Sequence, residues 1–155
     1  FRINMRDAIT SSKFEVGFTD VVSGTDAGAV NVKATPSFTA DNAVVLVRDT
    51  NDDTLLTLVG VQATVAATAN DFSTVLALDT IYWLGVALNG TRAAGYLLNS
   101  DGNLLERQPA SGYMESAITA ATLLTPWAFV QNRSGAQRRM NIDRIKVYQF
   151  ATATS

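Results

Sequence analysis

The sequence contains no cysteine and no histidine. The first absence excludes disulfides and thiolate metal sites, and it fits a reduced cytosol and a cysteine-free extracellular particle equally. The second removes the side chain that most often acts as general base near neutral pH. A serine here has no ordinary base beside it. No Gly-x-Ser-x-Gly elbow and no phosphate-cradling loop ending in Gly-Lys-Ser/Thr occurs.

Charge of one sign is missing too. Twelve basic residues against fourteen acidic ones leave a net charge of −2, so no basic face for nucleic acid is expected. No apolar run reaches the roughly 20 residues of a membrane-crossing helix, and no membrane partner is expected. Three prolines and ten glycines in 155 residues are too few for a linker-rich chain. Apolar residues make up 47% and charged residues 17%, the balance of a globular protein with a real core. A single domain over residues 1–150 is expected, followed by a small polar tail, "ATATS" (151–155), that frays. The opening residues Phe1, Arg2, Ile3 and Asn4 are neither an initiator methionine nor a signal peptide. They lead to the expectation of a processed or truncated piece of a longer polypeptide.

What is present reads as strand. "KFEVGFT" (13–19) alternates Phe14, Val16 and Phe18 with Lys13, Glu15 and Gly17, a half-buried strand with Glu15 facing solvent. "AVVLVR" (43–48) is apolar on both faces and belongs in an interior. The polar cluster 49–53 then turns the chain into "TLLTLVGVQATV" (54–65), a hairpin. Residues 82–88, 93–98 and 103–107 form a meander, turned at Asn89-Gly90, which suits a type I′ turn, and at Asp101-Gly102. "PWAFVQN" (126–132) and "MNIDRIKVYQF" (140–150) make a last pair around the polar loop 133–139. Alanine-rich "YMESAITAATLL" (113–124) breaks the pattern as a short helix or helical turn. Eight or more short strands argue for an all-β, two-sheet antiparallel sandwich or jelly roll, with a small closed barrel as the alternative. The doubly apolar strand 82–88 favours two packed sheets.

The C-terminal residues "PWAFVQNRSGAQRRMNIDRIKVYQF" (126–150) resemble the closing strands of concanavalin A-like lectin/glucanase (LamG-like) jelly rolls. There a final strand of the form apolar-Asp-x-apolar-x-apolar-Tyr closes the sandwich, as Ile142, Asp143, Ile145, Val147 and Tyr148 do here. "YWLGVALNG" (82–90) matches a central strand of that fold, and "FEVGFTD" (14–20) its early strand. The alanine/threonine-rich composition also looks like the versions found in tailed-phage virion proteins. Those sit on capsids as decoration proteins or in head and tail fibres.

Members that hydrolyse β-glucans carry Glu-x-Asp-x-(x)-Glu, because the chemistry needs two carboxylates flanking the scissile bond. The three glutamates here, Glu15, Glu106 and Glu115, form no such motif, and no enzyme is expected. The legume-lectin calcium and manganese site needs a histidine that this chain cannot supply. "DTNDDT" (49–54) is the best calcium loop by composition, yet it lacks the glycine and distal glutamate of an EF-hand, and a charged hairpin tip is the simpler reading. No metal or cofactor is expected. Trp83 and Trp127 sit in apolar strands and read as packing residues. Tyr113 is the freest aromatic for stacking on a sugar. Arg133, Arg138 and Arg139, with Arg144 and Lys146 nearby, read as a solvated loop or a salt-bridged protein interface. Tyr113, Arg133, Arg138 and Arg139 are therefore the candidate glycan or interface contacts. Two functions stay open. One is a structural virion protein, a capsid decoration or fibre component on the particle surface, whose partners are other virion proteins and copies of itself, a trimer among the forms. The other is a carbohydrate-binding module of an adhesin or secreted enzyme, and a virion protein that held a host-surface glycan would merge the two.

Overall fold

The computed structural model describes residues 1–6, 10–20, 28–33, 37–66, 69–135 and 137–149. The strands are β1 (Arg2–Met5), β2 (Ser12–Thr19), β3 (Val30–Val32), β4 (Ser37–Phe38), β5 (Asn42–Asp49), β6 (Thr57–Gln62), β7 (Val65–Ala66), β8 (Asn70–Asp71), β9 (Ile81–Asn89), β10 (Arg92–Leu98), β11 (Leu104–Gln108), β12 (Thr125–Asn132) and β13 (Met140–Arg144). One sheet runs β11-β10-β9-β1-β13. The other runs β12-β2-β5-β6-β7, with β8 also on β6, and β3-β4 is a separate hairpin. Every pairing is antiparallel. The chain is an all-β two-sheet antiparallel sandwich, compatible with a jelly roll.

The main core lies between the sheets. Phe14, Val16, Val44 and Leu46 from one sheet meet Ile3 and Leu84 from the other. Each such side chain contributes about 1.5–3 kcal/mol by leaving water. The sheets close tightly on small residues. A Cβ at Gly95 on β10 would stand 2.8 Å from Leu46 Cδ2 and 3.2 Å from Phe72 Cζ.

A second core explains where the alternation in β2 misleads. Val45, Val47, Val59 and Val61 on the outer face of the six-stranded sheet pack with Ala29 and Val30 from the segment leading into the β3-β4 hairpin. That layer covers the face on which Lys13 and Glu15 stand. Both are fully buried, so Glu15 does not face solvent. β5 is buried along all eight residues, as its two apolar faces require.

Four other expectations change. Asn89 pairs with Arg92, leaving Gly90 and Thr91 as the turn. The positive φ falls on Gly90 (+62°), which fits a type II′ turn better than I′. Residues 113–124 form no helix. Met114 bridges Ala93, the amides of Ala117 and Ile118 donate to Thr91 O, and Met114, Ala117 and Ile118 plug one end of the core. β9 is buried on one face only, with Tyr82 and Leu84 inside and Trp83 half-exposed. Finally, β13 stops at Arg144, whose ladder partner is Arg2. Ile145, Val147 and Tyr148 continue beyond it exposed. Phe150 and the tail 151–155 lie outside the described residues.

Candidate functional site

The most polar buried point is the pair Lys13–Glu15, two residues apart on one face of β2. Lys13 Nζ stands 2.9 Å from Glu15 Oε1, with the side chains 1% and 0% exposed. The carboxylate also accepts from the amides of Ala29 (2.7 Å) and Val30 (3.1 Å) and from Trp127 Nε1 (3.0 Å). Lys13 donates to Val30 O and lies 5.3 Å from the centre of the Phe129 ring. Every lone pair that desolvation would strand is taken, which is the condition for keeping ions inside a protein. Gly28 permits this approach, because a Cβ there would sit on the carboxylate. Glu15 thus clamps the 28–30 segment onto the sheet. It meets no second glutamate.

The other two glutamates are engaged separately. Glu106 on β11 accepts from the amides of Ser73 (2.7 Å) and Thr74 (2.9 Å). Partial burial pushes its carboxyl up, but these amides and Gln108 outweigh that and bring it down to about 2. Glu115 lies 3.8 Å from Arg92.

The loop 49–54 is a knot of ion pairs. Asp49, 2% exposed, receives Arg133 at 2.6 and 3.2 Å. Lys33 sits 3.3 Å from Asp52 and 2.6 Å from Asp53. Burial pushes the Asp53 carboxyl up, but the Lys33 hydrogen bond and the Leu55 amide hold it below its ordinary value. Burial lowers the Arg48 guanidinium, whose Nε donates to Thr54 O at 3.1 Å. Among the described residues no cluster of three or more acidic side chains is arranged to hold a metal ion.

The four candidate contact residues separate into two places. Tyr113 is half-buried, with Arg92 and Arg107 each 5.5 Å from its ring centre. These two cations engage the ring expected to be freest for a sugar. Arg133 is committed to Asp49. Arg138 donates to Thr10 O (3.0 Å), Gln137 O (2.9 Å) and Ser134 Oγ (3.1 Å). Arg139 accepts from the Arg6 amide through its carbonyl, and it has a further interaction of its own. The basic run fastens the β12–β13 connection to the sandwich end.

Apolar surface lies elsewhere. β12 is an edge strand: it pairs with β2 from Thr125↔Thr19 to Asn132↔Ser12 and ends the sheet order. None of its eight residues is charged. Trp127 and Phe129 stack at 5.9 Å, and Val130 is exposed. A groove also runs between residues 85–88 of β9 and residues 146–149. Its two cavities, about 670 and about 440 Å³, share Phe18, Val86, Lys146 and Tyr148.

No family model matches the chain, and no curated protein or solved structure matches it either.

Sequence reasoning missed the Lys13–Glu15–Trp127 cluster and the groove. A lysine and a glutamate on either side of Phe14 were the available signal for the cluster, because that spacing puts opposite charges on one strand face. The covering layer that buries them is separated in sequence from β2 and left no local trace.

Proposed function

We propose that this chain is a non-catalytic structural module of a phage virion. In this reading it is a capsid decoration or fibre domain of the concanavalin A-like jelly-roll kind, which works by docking on other virion proteins at the particle surface. The observation that carries the reading is that β12 ends its sheet, with no further strand pairing with it among the described residues. Strand edges present unpaired N–H and C=O groups, and soluble proteins normally guard them with charges, bulges or coverings. β12 carries no charge over eight residues, and its one guarding residue, Pro126, stands near its start. Such an edge is suited to strand-to-strand contact with a neighbour. Meanwhile the glutamates and the 133–139 arginines are engaged in internal contacts, which leaves strand edge and apolar surface for recognition. Self-association is part of the proposal, a trimer among its forms.

Immunogold electron microscopy of the source particles, with an antibody against this chain, tests it. Gold distributed over heads or along fibres is the expected result. Particles without gold would sink the reading.

A further inference from the structure

The ladder between β12 and β2 fixes which way the edge strand presents its backbone. Arg133, the residue after β12, donates its amide to Ser11 O at 2.9 Å, one step past the Asn132↔Ser12 pair. Bonding alternates along an antiparallel strand, so Thr125, Trp127, Phe129 and Gln131 turn their backbone groups to β2. Pro126, Ala128, Val130 and Asn132 turn theirs to the other side, where no described strand stands. Pro126 agrees with this assignment, because proline is kept out of positions where the ladder needs an N–H.

A second copy of β12, turned end for end, matches that pattern. With Phe129 opposite Phe129 of the second copy, Ala128 faces Val130 and Pro126 faces Asn132. Each Ala128–Val130 pair is then hydrogen-bonded both ways. Each Asn132 amide meets a Pro126 carbonyl, so the missing proline N–H falls only at the two ends of the joint. Phe129 takes a non-hydrogen-bonded position, where facing side chains come closest. Its ring already stacks on Trp127, and the rings of both copies extend that stack across the joint. The strand's ends agree as well. Thr125 pairs with Thr19, which Asp20 follows, and Arg133 follows Asn132 at the far end. Antiparallel packing sets the Arg133 end of one copy beside the Asp20 end of the other, whereas parallel packing sets like charges together.

We propose that β12 pairs with β12 of a second copy about a two-fold axis at Phe129, joining the two β12-β2-β5-β6-β7 sheets into one continuous sheet. This rests on the reading of β12 as a docking edge and names the partner that the edge takes. It also fixes the stoichiometry there. A two-fold joint uses the same edge on both copies and closes at a dimer, so a trimer requires another surface.

The chain has no cysteine, so single introduced thiols report on the joint without background. Pro126→Cys, Ala128→Cys, Val130→Cys and Asn132→Cys are oxidised singly and in mixtures, and disulfide-linked dimers are read on non-reducing gels. A disulfide needs Cα atoms within roughly 7 Å, which facing residues meet and residues two steps out of register do not. The expected result is linkage in the Pro126→Cys/Asn132→Cys and Ala128→Cys/Val130→Cys mixtures at least about tenfold above that of any variant alone. The two mixtures are independent, so a variant that fails to fold leaves the other mixture to decide. Equal linkage by each variant alone, as a parallel joint gives, overturns the proposal, as does stronger linkage in the Ala128→Cys/Asn132→Cys mixture. Absence of linkage in every mixture overturns it too, and oxidation of the same variants on the source particles then separates the two ideas. A thiol linked there to a different virion protein keeps β12 as a docking edge without self-pairing, and a thiol linked to nothing sinks both.

Discussion

The indole N–H of Trp127 on β12 donates to the carboxylate of Glu15 on β2 at 3.0 Å, inside the layer formed by the outer face of the six-stranded sheet and the 28–30 segment. This bond ties the edge strand to the most buried charge in the molecule. Replacing Glu15 by glutamine leaves Lys13 as an uncompensated buried cation and should cost about 3–5 kcal/mol in urea unfolding. Replacing Trp127 by phenylalanine removes one of several donors and should cost about 1–2 kcal/mol. If Glu15→Gln unfolds at the wild-type urea concentration, the carboxylate is not the clamp described here.

Two glycines mark close approach of backbone or sheet. A Cβ at Gly17 would meet the Val44 carbonyl oxygen and lie 2.8 Å from Val45 Cα, atoms that belong to the β5 backbone and cannot swing aside. At Gly95 the obstacles are the side-chain ends of Leu46, Phe72 and Leu58. Gly95→Ala should therefore lose about 1–3 kcal/mol, the usual range for overpacking. Gly17→Ala should lose more. The order of the two thermal midpoints checks the distinction, and a reversed order would refute it.

The carboxylates of the 49–54 loop already have cationic partners. Millimolar calcium should leave the Tm unchanged, whereas Arg133→Ala, which strips the partner from buried Asp49, should lower stability by about 2–3 kcal/mol. A saturable rise of Tm with calcium would show that the loop exchanges its arginine and lysine for a metal ion.

Glu106 should shape the acid limb of the stability curve. Its folded-state value, about 2, lies below the ordinary carboxylate range, so between the two values the unfolded chain binds more protons. Its contribution is fully present above the ordinary value and disappears as pH falls through about 2. Glu106→Gln should lower Tm by about 1–3 °C at pH 7, a small effect because the group is partly exposed, and the gap should close by pH 2. A gap that persists unchanged at pH 2 would show that the amide contacts of Ser73 and Thr74 do not depend on charge.

The sheet architecture was legible wherever strands announce themselves locally. Residues 43–48 read as doubly apolar and form the fully buried β5, and the meander after Tyr82 is real. The turn at Asn89-Gly90 was displaced by one residue because pairing with Arg92 keeps Asn89 in the ladder. The stretch 113–124 has helical composition, but its amides are bonded to Thr91 and Ala93, and that long-range bonding overrode propensity. Glu15 looked exposed because period two distinguishes one face from the other and says nothing of what covers each face. Tyr113 looked free for the same reason: its two arginines come from β10 and β11, brought together by register alone.

The proposed docking through β12 meets its most direct test in sedimentation equilibrium of the wild-type chain beside Val130→Lys. A lysine on that edge is the ordinary guard against strand pairing, and Val130 of β12, opposite Phe14 on β2, is exposed at the rim of the sandwich. The account predicts an oligomer for the wild type, a monomer for Val130→Lys, and the same far-ultraviolet circular dichroism for both. A wild-type monomer, or an oligomer that survives the substitution, would contradict it.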